Sequence, residues 1–320
     1  MKIAIVGCGA LGSFYGARLC QSGNDVHFLL RSDFETVRDH GVEIRSADGN
    51  FHVRPRTAKT PEDIGPRDLV VIGLKTTANH QFASLLTPLV GRSTAILTLQ
   101  NGLGNEEQLA ALFGSENVLG GLCFVCLNRI APGKILHVAH GKIVMGEFQR
   151  NPTERTQAIA QLFRDSKVPC DVTDNIEAAH WEKLVWNVPF NGLGVAGAAG
   201  YDAVISGKIN PSAPLGNCLT TDLLLGESRW ENLVRELMRE VIHAAQAQGL
   251  NVPASAAERQ IERTREMGAY KASTLIDFER RQPLELESLF LEPLRRAEAA
   301  GVDTPRLRSL CSVLKAINPR

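Results

Sequence analysis

The first twelve residues constrain this chain more than any other feature. They read Met1-Lys2-Ile3-Ala4-Ile5-Val6-Gly7-Cys8-Gly9-Ala10-Leu11-Gly12, a short apolar strand pattern running into G-x-G-x-x-G. The helix-like segment Leu11–Gln21 follows directly. A G-x-G-x-x-G alone is a weak signal, because glycine is common in turns, but one placed between a strand and a helix is specific. Gly7 then allows the tight turn, Gly9 lets backbone approach a pyrophosphate, and Gly12 lets the helix pack closely on the sheet. The whole loop, Gly7, Cys8, Gly9, Ala10, Leu11 and Gly12, is the expected cradle of a dinucleotide. Unpaired N–H groups and the positive end of the helix dipole favour its phosphates.

The pattern that follows extends this local reading to a fold. Strands are expected at Lys2–Val6, Asp25–Leu30, Asp68–Gly73, Thr94–Leu99 and Val118–Val125, with helical spacing at Thr77–Leu89 and Asn105–Phe113. Strands alternating with helices imply βαβ units and a mostly parallel sheet. Val42–Arg45 and Phe51–Arg54 flank a hairpin-like turn, and Lys134–Ala139 and Lys142–Glu147, split by His140-Gly141, read as a second antiparallel pair. After about Val172 the strand signals nearly vanish. Helical patterns cover Ala179–Phe190, Ser228–Gln248, Ala254–Glu266, Glu285–Ala299 and Pro305–Ile317, interrupted by the Gly-rich Asn191–Gly207 and by Pro211–Pro214. The expected class is α/β: a Rossmann-type domain over residues 1–172, then an all-helical domain over 173–320.

Composition narrows the partners. Lys+Arg and Asp+Glu both number 35, so no global field draws the chain to nucleic acid. The apolar run before Gly7 is too short for a signal peptide or a membrane span, and no later stretch reaches membrane length. A cytoplasmic protein is expected. Seven cysteines, an odd number, fit reduced thiols better than a disulfide framework. Cys123 and Cys126 form a C-x-x-C, but no second pair or histidines follow at ligand spacing, and the segment reads as a buried strand; no metal is expected.

The end of the second strand bears on the cofactor. NAD-binding folds usually place an acidic residue about 20 positions beyond the glycine loop, where it accepts from the ribose 2′-OH. Here Leu29-Leu30-Arg31-Ser32 occupies that region. Arg31 suits a 2′-phosphate through charge-assisted, bidentate hydrogen bonds, so NADP(H) is the expected cofactor. Two further loops follow strands: Gly73-Leu74-Lys75-Thr76 and Gln100-Asn101-Gly102-Leu103-Gly104. Each also suits a solvated turn or a helix cap.

In the second half, Lys183, Asn187 and Asn191 recur at i, i+4 and i+8, which stacks them on one helix face. Asparagine is a poor helix former, so this line amid apolar neighbours suggests a polar stripe facing a cleft; spacing alone leaves a solvated surface face equally open. Together with Gly7-x-Gly9-x-x-Gly12, Arg31, the Lys75 and Asn101 loops, and Ser273 followed by Glu285, this segment resembles the ketopantoate reductase family over nearly the whole chain. The resemblance implies reduction of a 2-keto acid by NADPH in a cleft between the two domains. It implies Lys183 as general acid, Asn187, Asn191, Ser273 and Glu285 as substrate-binding residues, and Lys75 and Asn101 at the cofactor–substrate junction. The expected reaction is NADPH-dependent reduction of ketopantoate to (R)-pantoate for pantothenate and coenzyme A synthesis, by a homodimer. A paralogue acting on another small keto acid, and a non-catalytic NADP(H)-binding protein, are the alternatives. By itself, Glu285 also reads as an acidic residue at a helix start. Two departures from the family stand out: Pro189 lies inside the lysine helix, where it is expected to kink the helix and shift Asn191 from Lys183, and Gly192–Gly216 is unusually rich in glycine and proline.

Overall fold

The structure, a computed structural model, describes residues 1–319. The chain divides into two compact units: Met1–Asn101 with Asn105–Ile176, and Gly102–Gly104 with the chain from Glu177 onward.

The first unit is built on a ten-stranded sheet: β1 (Lys2–Val6), β2 (Asp25–Leu29), β3 (Val42–Ser46), β4 (Phe51–Val53), β5 (Arg56–Ala58), β6 (Arg67–Ile72), β7 (Val90–Thr98), β8 (Val118–Ala131), β9 (Lys134–Glu147) and β10 (Cys170–Val172). Its helices are α1 (Ala10–Gln21), α2 (Phe34–His40), α3 (Phe82–Leu86), α4 (Asn105–Phe113) and α5 (Glu154–Asp165). The strand order is β4-β3-β9-β8-β7-β6-β1-β2-β5, with β10 beside β9. β1 is a continuous apolar run because both its faces are covered. Ile3 and Ile5 join the core that contains α1, whereas Ala4 and Val6 join the one containing Phe82, Leu86 and Leu109. β1 pairs in parallel with β2 on one side and β6 on the other, and β6 with β7. Val6 lies opposite both Leu29 and Ile72, and Ile72 opposite Thr98. The carboxyl ends of β1, β2, β6 and β7 therefore share one edge, and strand order reverses at β1, the usual ligand position in such sheets.

Three local expectations are corrected in this unit. Lys134–Ala139 and Lys142–Glu147 are not two strands of a pair but one strand, β9, and both segments pair antiparallel with β8. His140 and Gly141, with φ of 66° and 134°, form an irregularity where the register slips between Phe124 and Val125. Beyond that slip Cys126 is only half-buried, whereas Cys123 is in the core. The expected helix Thr77–Leu89 is a broken series: a 3₁₀ turn over Thr76–Gln81, then α3, then a 3₁₀ turn over Thr87–Leu89. Asn79 is drawn away to Gln100 and Asn105, and Pro88 cannot donate within a continued helix. The periodicity of α2 and α5 was too short or too polar to be read, so both helices are additions.

The second unit contains α6 (Ile176–Ala196), α7 (Tyr201–Ser206), α8 (Thr221–Gly226), α9 (Ser228–Ala247), α10 (Ala256–Arg265), α11 (Ser273–Glu279), α12 (Glu292–Ala299) and α13 (Pro305–Ile317). Its core is anchored by the apolar stripe of α9, from Trp230 through Leu233, Leu237 and Val241 to Ala245. The expected break at Asn191 does not occur, since α6 runs on to Ala196. The glycines there are contact points: a Cβ on Gly194 would lie 2.4 Å from Leu275, and one on Gly192 2.6 Å from Leu310. The expected helix Glu285–Ala299 contains a π turn over Glu287–Leu291. Pro293 has no N–H for the Leu289 carbonyl, and the ladder shifts so that Glu292 N–H reaches Glu287 O. No described helix is long and apolar enough to cross a membrane.

Glu147 at the end of β9 ties the sheet to the start of α5. Its buried carboxylate accepts from Thr153 at 3.1 Å, from Arg150 at 2.8 Å, from Arg155 at 2.5 Å and from Thr156. Burial opposes its ionisation, but these donors outweigh burial and hold its pKa below the ordinary glutamate value. A carboxyl with a depressed folded pKa contributes its full stability above the unfolded value, about 4.3, and loses it as pH falls through the folded one. Glu147→Gln should therefore cost about 1.5–3 kcal/mol at pH 7. In urea titrations the gap between variant and wild type should begin to narrow as pH falls below about 4 and keep narrowing towards the lower folded pKa; a gap constant down to about pH 3 would remove the ionised carboxylate from this role.

Candidate active site

In the first unit the glycine loop has the geometry its spacing implies. Gly7 has φ of +95°, and a Cβ there would lie 2.3 Å from the Leu74 nitrogen. A Cβ on Gly12 would lie 2.3 Å from Gly7 O, so α1 packs directly on the turn. A Cβ on Gly9 would meet nothing within 4 Å, which leaves this face of the loop open. Ser13 closes the first turn of α1 by donating its N–H to Gly9 O at 3.1 Å and its hydroxyl to Cys8 O at 3.0 Å. α1 has no side-chain cap and no acidic residue in its first turn. Its positive end thus faces an open loop, with no acidic residue of its own first turn in competition, an arrangement that fits the phosphates of a dinucleotide. Burial, with the nearby Asp33 carboxylate, pushes the Cys8 thiol well above its ordinary pKa, so it stays protonated at neutral pH.

Arg31 follows β2 on the same edge. It is exposed, and among the described residues it forms no ion pair. Asp33, two positions on, is buried and engaged by Arg129 and the Gly133 N–H. Lys75 follows β6, exposed and in extended conformation, at the start of a 3₁₀ turn. Asn101 follows β7 and is half-buried. A chain of amides outside the motif residues holds its backbone. Thr98 donates to Gln100 at 2.9 Å, Gln100 to Asn79 at 2.8 Å, Asn79 to Asn105 at 2.9 Å, and Asn105 to the Asn101 carbonyl at 3.2 Å. Asn105 was visible only as a helix start and Asn79 only as a polar residue in a helix pattern; neither carries a sequence signal for this pairing.

In the second unit, α6 carries Lys183, Asn187 and Asn191 in line. Lys183 is half-buried, whereas Asn187 and Asn191 are buried amid Leu184, Val188 and Leu193. The helix continues through Pro189, and Asn191 Nδ2 donates to Asn187 Oδ1 at 3.4 Å. The helix is thus not broken at Pro189, and the two amides remain stacked. Asn191 Oδ1 accepts from the Thr274 N–H at 3.0 Å and from the Ser273 hydroxyl at 3.4 Å. Asn191 thereby caps α11 from outside it, and Ser273, itself exposed, joins the asparagine pair. Glu285 is buried, and its carbonyl accepts from the Leu289 N–H at the start of the π turn. A buried carboxylate differs in this from an acidic residue placed at the surface of a helix start.

Two elements of chemistry are present: an open phosphate-type loop with an unpaired arginine, and a helix presenting an amine above two buried amides. A family model described as ketopantoate reductase PanE/ApbA matches residues 3–150, and one described as ketopantoate reductase PanE/ApbA C terminal matches residues 175–318. The chain is 36% identical to a 2-dehydropantoate 2-reductase of Nostoc sp., over 100% of this chain and 96% of the relative. It is 30% identical to an uncharacterized oxidoreductase, YkpB, of Bacillus subtilis, over 98% of each. A crystal structure of 2-dehydropantoate 2-reductase from Geobacter metallireducens superposes with a TM-score of 0.89 at 43% identity, covering 99% of both chains. The matched residues span both units, so the likeness extends to the Rossmann-type sheet and the helical half alike. The chain belongs to the ketopantoate reductase family, one of NAD(P)-dependent reductases, and is an oxidoreductase of that type.

Proposed function

We propose that this enzyme reduces 2-dehydropantoate to (R)-pantoate with NADPH, in the cytoplasm and as a homodimer, supplying pantothenate and coenzyme A synthesis. The observation that carries the reading is the polar line on α6: Lys183 above two buried, mutually bonded asparagines in an otherwise apolar helix. NADPH, when bound, supplies the reducing equivalent. The Gly7–Gly12 loop would hold its pyrophosphate and Arg31 its 2′-phosphate, with Lys75 and Asn101 toward the reacting end. Reduction of a keto group develops negative charge on its oxygen. The Lys183 ammonium stabilises that charge and donates the proton from Nζ. Asn187, Asn191 and Ser273 offer neutral donors to a substrate carboxylate, and Glu285 an acceptor for the substrate hydroxyl. A reductase of another small keto acid is the second reading, and the relative carrying only an oxidoreductase name keeps it in view.

Steady-state assays of a keto-acid panel with NADPH and NADH test this directly, and wild type should favour NADPH. Arg31→Ala should raise the NADPH constant about 10- to 150-fold, the worth of one charge-assisted hydrogen bond, and barely alter that for NADH. Equal losses would remove Arg31 from the 2′-phosphate.

Lys183→Ala should lower kcat by about 10²–10⁴-fold with NADPH affinity little changed. Near-normal turnover would end the general-acid assignment.

Glu285 separates the two substrate readings. A buried partner for a substrate hydroxyl discriminates strongly against an analogue lacking it. Wild type should therefore favour ketopantoate over 2-oxo-3,3-dimethylbutanoate, and Glu285→Ala should lose most of that preference. If wild type shows no preference, the ketopantoate reading gives way to a broader keto-acid reductase.

A further inference from the structure

The loop after β2 contains a buried acid that the cofactor reading does not use. Asp33 begins α2, two residues beyond Arg31, and is 6% exposed. Its carboxylate accepts from Arg129 through both Nε, at 2.9 Å, and Nη2, a bidentate pair reaching from the far end of β8. The Gly133 N–H adds a third bond at 3.2 Å, and the Ser32 hydroxyl donates to Oδ1 at 3.0 Å. The carboxylate also lies near enough to the glycine loop to act, after burial, on the Cys8 thiol. It lies two residues beyond Arg31, at the start of the helix that follows β2.

A carboxylate in this region has two opposite consequences. Left free, it accepts from the ribose 2′-OH and favours NAD(H); beside a 2′-phosphate it repels. Bidentate pairing with a guanidinium removes both effects, because the charge is neutralised and the lone pairs are occupied. The same pairing fixes the segment that carries Arg31 and Ser32.

We propose that Arg129 is a second determinant of cofactor selectivity, a positioning residue that neutralises and pins Asp33 so that the β2–α2 loop accepts a 2′-phosphate. This inference rests on the NADPH reading above. The hairpin formed by β8 and β9 thereby sets the preference of a loop 96 residues earlier in the chain.

The test is binding without turnover: dissociation constants for NADPH and NADH from nicotinamide fluorescence, with no keto acid present. Arg129→Ala and the gentler Arg129→Gln should raise the NADPH constant about tenfold or more, with the NADH constant unchanged or lowered. Adding Asp33→Asn to either variant should recover most of the NADPH affinity, since the charge to be neutralised is gone. Arg129→Lys should fall between wild type and Arg129→Gln. A merely structural role predicts equal weakening of both nucleotides and no recovery with Asp33→Asn, and that result, or an unchanged NADPH/NADH ratio, overturns the proposal. Wild type binding NADH better than NADPH would overturn the NADPH reading as well, which separates the two failures.

Discussion

A backbone contact with no room for a β-carbon governs the glycine-loop edge of the sheet. Gly7 turns back with positive φ against the Gly73–Leu74 peptide, and Gly12 rests on the Gly7 carbonyl. The Gly73 N–H continues the ladder by donating to Val6 O at 2.8 Å, as Leu99 does to Ile72 O at 2.9 Å. These contacts bring the loops after β1, β6 and β7 to one edge in fixed register. Any side chain at Gly7 would push the β6 loop, and Lys75 with it, away from the start of α1. The open face at Gly9 is the counterpart of this crowding, since the turn is packed on its inner side and clear on its outer one.

In the helical unit the two prolines show how a polar arrangement survives apparent helix breakers. Pro189 leaves a buried Val185 carbonyl without its helical donor, yet α6 continues because Val185, Val188 and Phe190 are locked in the core. Pro293 acts differently. Its missing N–H moves the ladder to a π turn directly after Glu285. Packing decides both outcomes: local propensity opposes each proline by about 3 kcal/mol, a penalty that extensive burial offsets.

The amide chain from Thr98 to Asn101 and the Asp33–Arg129 pair share one logic. Each links buried polar groups such as Gln100, Asn105 and Asp33 to specific partners, and each steadies a loop at the sheet edge. Rigid neighbours of this kind decide how accurately an exposed side chain such as Arg31 is presented to a ligand.

The glycine turn, the apolar strands around it and the line of Lys183, Asn187 and Asn191 were legible in the sequence, because each is encoded within a few residues by turn chemistry or by a period of two or of 3.6. That period puts Asn187 and Asn191 within reach of each other, and packing around Pro189 keeps them there. The sequence could not show that His140 and Gly141 interrupt one strand rather than separate two, since a bulge and a turn use the same residues and only pairing with β8 distinguishes them. Nor could it show that Asn191 caps α11, that Glu285 is buried, or that Asp33 is held by Arg129. Those contacts join residues remote in the chain, and they form because folding brings polar groups out of water together and each must then find a partner. Local pattern determined the central strands, the longer helices and the alignment of Lys183, Asn187 and Asn191 on α6. Tertiary structure alone decided which of the charged groups near the glycine loop are already paired and which, like Arg31, remain available.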